Sequence, residues 1–165
     1  MRQWWAAYLE RRRAARMRRL RERARHSRAM VAAFTAGREP QTGADFLAAC
    51  PGGGRDRWLL AARWAVARVS RVRPALIHAS DRFADLTRLP GWSGHCAGSD
   101  PVVLVMLIEA AAGVSLPDRE LERVPCPDLH GSLRVGEFAA AVAAACERVS
   151  PGGGQGTNRI MASST

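Results

Sequence analysis

Two histidines and two cysteines lie in two short stretches, His95-Cys96 and Cys126-Pro127-Asp128-Leu129-His130, and together they make up the ligand set of a structural zinc site. Their spacing matches no finger, so the residues are read as two buried thiols and two loop imidazoles, and no metal is expected. Gly91-Trp92-Ser93-Gly94-His95 is reminiscent of a nucleophile elbow. That motif needs G-x-S-x-G between a strand and a helix, and here neither the second glycine spacing nor a strand is present. General acid–base sets are missing too, and Pro51-Gly52-Gly53-Gly54 has no P-loop lysine or Ser/Thr context. The chain is therefore read as non-catalytic.

Arginines are the other residues able to act. Arg11, Arg12, Arg13, Arg16, Arg18 and Arg19 crowd one stretch behind Trp4, Trp5 and Tyr8. Clustered arginines attract phosphates, by counterion release on nucleic acid or by charge at an anionic lipid surface where the aromatics would anchor. The plainer alternative is a solvated, weakly docked arm. All 25 basic residues are arginine, and residues 1–38 hold 12 of them against Glu10 and Glu22, a net of +10. Residues 39–165 carry 13 arginines and 13 acids, so the positive charge belongs wholly to the arm. Cys50, Cys96, Cys126 and Cys146 form no C-x-x-C pair, which makes a reducing cytoplasm the expected compartment. The apolar run before the arginines is too short for a signal peptide and no stretch reaches membrane-spanning length, so membrane contact would be peripheral.

The elements that position these groups read as helices. Gln3 to about Phe34 has good helix formers and neither Gly nor Pro. Gly37 to Gly43 reads as a linker, and Asp45 to Cys50 as one added turn. Asp56 is expected to cap a helix to about Val72, with Leu59, Ala62, Val66 and Val69 inward and Arg57, Arg63, Arg68 and Arg71 toward water. Leu76 and Ile77 pin a loop before a short turn through Phe83 and Leu86. Asp100-Pro101 opens an all-round apolar helix that Gly113 ends, and such a helix is expected to be enclosed, with Val102, Leu104, Val105, Leu107 and Ile108 at the core. Ser115 and Asp118 resemble a capping box ahead of Leu121 and Val124. Ser132 is expected to cap a last helix to about Val149 carrying Phe138, Val142 and Ala145.

Three stretches in order carry a family resemblance: Asp81-Arg82-Phe83-Ala84-Asp85-Leu86; Val102 to Glu109 with Gly113-Val114-Ser115-Leu116-Pro117-Asp118; and Leu133-Arg134-Val135-Gly136-Glu137-Phe138. They resemble the F-x-x-D-L, V-E-L-V-M-x-L-E with G-x-x-I-P-D, and T-V-G-D-L patterns of acyl carrier proteins. The resemblance implies an all-α, acyl-carrier-like four-helix bundle over residues 55–149. A basic helical arm (1–38) and a linker and loop (39–54) precede it, and a disordered tail (150–165) follows. It also implies a carrier or interaction module for a biosynthetic enzyme, with 4'-phosphopantetheine as the prosthetic group and Ser99 as the attachment residue.

This sequence departs from the family where that group would sit. Without a gap, Gly98 falls on the position of the family's D-S-L serine, while Ser99 is one residue late and is followed by Asp100-Pro101. Pro101 at the first helical position makes Asp100 the cap, so a phosphate on Ser99 would share the helix end with a carboxylate of its own sign. Val103 also stands where carriers show an acid read by partner enzymes, so loading is expected to be inefficient. The other expectation is a helical scaffold whose arginine-rich arm binds nucleic acid, an anionic membrane or an acidic partner.

Overall fold

The computed structural model describes residues 2–90, 92, 100–127 and 132–150. Among them are α1 (Arg2–Thr35), α2 (Gly43–Ala49), α3 (Asp56–Ser70), a 3-10 turn (Pro74–Leu76), α4 (Phe83–Leu86), α5 (Asp100–Ala112), α6 (Asp118–Leu121) and α7 (Val135–Val149). No strand occurs among the described residues, and the protein is all-α. It divides into two compact units, residues 1–38 and 39–165.

The first unit is one long helix. Arg12, Arg13, Arg16, Arg18 and Arg19 are exposed on it, and so are Met17 and Leu20. Gly37, in the left-handed region at φ 69°, stops it, and the Arg38 guanidinium lies 3.8 Å from the centre of the Phe34 ring.

In the second unit α3 is the hub, with α5 and α7 both packed on it. Leu59, Ala62, Val66 and Val69 are buried as their spacing predicts. Arg63 corrects the expectation that it faces water: it is 4% exposed, because it falls four residues after Leu59 and three before Val66, on the same inward stripe. Its guanidinium reaches three backbone carbonyls, Ile77 from Nε at 2.9 Å, Gln41 at 2.7 Å and Thr42 at 3.2 Å, and sits over Phe46 at 4.6 Å.

Those bonds tie residues 39–42, at the start of the stretch read as a linker, to the loop after α3. Gln41 also donates its backbone N–H to Ala75 O at 2.8 Å, and His78 Nε2 lies 2.9 Å from Glu39 O. The expected single turn is the helix α2, closed by a reciprocal cap in which Asp45 N–H donates to Thr42 Oγ1 and Thr42 N–H donates to the Asp45 carboxylate. Phe46 is fully buried on this helix.

Several helix starts differ from expectation. Arg55, not Asp56, is the N-cap of α3; Pro117, not Ser115, precedes α6; and Arg134, not Ser132, precedes α7, where its N–H donates to Glu137 Oε2 at 2.9 Å. The glutamate three residues on satisfies the N–H of the N-cap residue, which is the N3 half of a capping box. On α6 it is Glu120 that is buried, while Leu121 and nearby Val124 are half-buried.

Helix α5 gives the largest correction. Leu104, Ile108 and Ala112 are buried, Val103, Val105 and Leu107 are half-buried, and Val102 and Met106 are 58% and 61% exposed. A helix packed on one hub buries one i, i+4, i+8 stripe, however apolar its other faces are.

Candidate functional site

Two stretches of the family resemblance, fifty residues apart in the chain, are tied to each other by backbone hydrogen bonds. Phe83 N–H donates to Leu133 O (3.0 Å), Val135 N–H to Asp81 O (2.9 Å) and Gly136 N–H to Ala79 O (2.9 Å). Gly136 permits this approach, since a Cβ there would lie 3.1 Å from both the Cβ and the carbonyl oxygen of Ala79. The Asp81 carboxylate accepts from His78 N–H at 2.8 Å and holds the loop in the shape that meets α7.

Behind this junction Phe83 packs edge-on against Phe138 (5.2 Å between ring centres) and Trp92 (5.8 Å), and the Trp92 indole N–H donates to buried Ser70 Oγ at 2.9 Å. The C-terminal end of α3, the start of α7 and the residues leading toward α5 therefore share one packed end of the unit. The second stretch of the resemblance closes the opposite end. Gly113 is left-handed at φ 66°, Glu109 Oε1 accepts from Leu116 N–H at 2.7 Å, and Arg57 donates to Ala112 O.

Two of the described thiols are quenched by burial. Burial pushes the Cys146 thiol up to about 11 and also raises that of Cys50, so both stay protonated at neutral pH. Burial lowers Arg63 from its usual value, but a guanidinium remains charged and here all its reach is spent on carbonyls. The Trp58 indole N–H is buried with no partner among the described residues.

Ser99 lies outside the described residues, directly before α5, and so do Gly98, Ser93, His95, Cys96 and His130. Of the proposed zinc ligands only Cys126 is described, half-buried, and no group of three or more potential ligands occurs among the described residues. Of the six arginines singled out on the arm, the side chains of Arg12, Arg13, Arg16, Arg18 and Arg19 are exposed, while that of Arg11 is outside the described side chains. The residues of 151–165 fall outside the description as well. No helix among the described residues is long and apolar enough to cross a membrane.

One accessible feature was not legible in the sequence. An open groove of about 820 Å3 runs between the C-terminal half of α3 and α5, floored by Trp64, Val72, Pro74, Val103 and Leu107 and edged by Arg68, Arg71 and Arg73. Arg71 is left-handed (φ 57°) at the end of α3, a position glycine usually takes. Comparison with protein-family models, with curated proteins and with solved structures finds no match.

Proposed function

We propose that residues 39–150 form an acyl-carrier-like helical module without catalytic chemistry of its own, serving a biosynthetic enzyme as a carrier or interaction module. The observation that supports this most is the direct pairing of Asp81 and Phe83 with Val135 and Leu133, because it gives two separate stretches of the family resemblance one joint structural task. The long helices α3, α5 and α7, with the short α6 between the last two, support a helical-bundle reading. The raised thiols of Cys146 and Cys50 suit a packing role for those two residues. On this reading Ser99 is the attachment residue for 4'-phosphopantetheine, and the Asp100 carboxylate beside it makes loading inefficient.

The test is co-expression of the full chain with a broad-specificity phosphopantetheinyl transferase, followed by intact-mass measurement. A parallel assay measures competition with a loaded acyl carrier for an acyl-transferring enzyme. The mass is expected to stay largely unshifted while the chain competes. A near-complete shift by one prosthetic group, lost in Ser99→Ala and kept in Ser93→Ala, would make the protein a working carrier. Absence of both the shift and the competition would defeat the carrier-like reading.

A second reading has its own observation. Five described arginine side chains project into solvent from α1, a helix with no continuous apolar face. That arrangement suits an arm that docks on nucleic acid, on an anionic membrane surface or on an acidic partner.

A further inference from the structure

Apart from Glu109 every described side chain of α5 is apolar, and the fold covers one face of the helix. The stripe Leu104, Ile108 and Ala112 is buried, half-buried Val103 and Leu107 line the floor of the groove, and Val102 and Met106 continue the apolar surface beside it. Two neighbouring rows at i, i+4 spacing thus lie open over more than one helical turn. Exposed apolar surface of this extent, rimmed by charge, marks an interaction face. Arg68, Arg71 and Arg73 stand exposed on the rim, no acid lines the groove, and none of the three is ion-paired among the described residues.

We propose that this groove docks an acidic amphipathic helix of a partner protein. Charge selects the occupant. The chain's own arm carries a net +10, and a second copy would bring the same arginines to face these three, so both would meet like charge. A small ligand is held by enclosure, whereas this groove is open and adjoins the exposed Val102 and Met106 on α5, a form that suits a helix laying down an apolar row. Arg71 adds an independent sign. A residue with a Cβ in the left-handed region costs about 1 kcal/mol or more relative to glycine, so the side chain there is kept against a local penalty. The inference stands on the groove alone and is unaffected by the outcome of the loading experiment at Ser99.

The test uses the full chain and two synthetic amphipathic helices of about five turns, each with leucines at i, i+3, i+4 and i+7, flanked by glutamates in one and by lysines in the other. The glutamate helix is expected to bind at least about tenfold more tightly than the lysine helix. Its affinity should fall about tenfold or more in Arg68→Gln/Arg71→Gln/Arg73→Gln, and again in Val102→Asp/Met106→Asp, whose helical signal and melting temperature should match the parent because both positions are exposed. Arg71→Gly should melt no lower than the parent yet bind more weakly. The arm is intact in every variant, so binding by its arginines would survive all of them. Four results would overturn the proposal: failure of the glutamate helix to bind, equal affinity for both helices, or affinity untouched by the Val102 and Met106 changes; and a parent dimer broken by Met106→Asp, which would give the groove to a second copy. Binding of dodecanoate or anionic vesicles lost in Val102→Asp/Met106→Asp, with no binding of the glutamate helix, would assign the groove to lipid instead.

Discussion

Arg63 of α3 donates its Nε–H to the carbonyl oxygen of Ile77 at 2.9 Å, and the same guanidinium reaches back to Gln41 and Thr42. One buried charge thereby ties the hub helix to the loop after it and to the segment before α2. Since Phe46 lies under the same guanidinium, the entry of the unit, its hub and its crossover loop are fixed together.

Replacing Arg63 by methionine should therefore destabilise the second unit by about 2–4 kcal/mol, because three carbonyls lose a charged donor inside the protein. Arg63→Lys should recover only part of this, since an ammonium cannot span three separated acceptors in the planar fork of a guanidinium. Urea unfolding of the full chain, followed by far-ultraviolet circular dichroism, measures both. Wild-type stability in Arg63→Met would contradict the burial seen here.

The two sides of α5 should respond oppositely to truncation. Leu104→Ala and Ile108→Ala should each cost about 2–5 kcal/mol by leaving a cavity, whereas Val102→Ala and Met106→Ala should change stability by no more than about 0.5 kcal/mol. Equal costs on both sides would mean that α5 is enclosed in solution.

Glu120 gives a pH dependence. Its carboxylate accepts from Arg148 Nε at 2.6 Å and from Arg123 at 3.2 Å, and the Arg148 hydrogen bond holds it below the usual glutamate range. A carboxyl whose folded pKa is depressed stabilises the fold above its unfolded value, and that stability is lost as pH falls through the folded pKa. Melting temperature should thus drop as pH is lowered below the ordinary glutamate value of about 4.3, and Glu120→Gln should remove part of that slope while lowering stability at neutral pH. An unchanged acid slope in Glu120→Gln would remove this pair from the account.

If α1 binds a polyanion, affinity for single-stranded RNA or for anionic vesicles should fall steeply as salt rises. Neutralising Arg11, Arg12, Arg13, Arg16, Arg18 and Arg19 together should flatten that dependence, and deleting residues 1–38 should abolish it. Competition for an acyl-transferring enzyme should survive the same deletion. A truncated chain that binds RNA and vesicles as well as the intact one would dispose of the arm's role.

Read alone, the sequence determined the helical class, the long arm and its charge, and the stripes of α3 and α7, because apolar residues at 3.6-residue spacing leave a helix one way to bury them. It located the breaks at Gly37 and Gly113 as well, where backbone chemistry is local, whereas α3 ends at left-handed Arg71, three residues before the proline expected to stop it. Tertiary structure decided what spacing cannot encode. Arg63 had the register of a buried residue, yet its destination depended on three carbonyls supplied by segments 14 to 22 residues away. Helix α7 starts at Val135 and not after Ser132, because the first N–H groups of the helix are taken by the carbonyls of Asp81 and Ala79 while Glu137 accepts from the Arg134 N–H. Helix α5 was legible as apolar, but how much of it is covered depends on how many neighbours pack on it. That number is set by the assembled fold, and the open groove beside Val103 and Leu107 is its consequence.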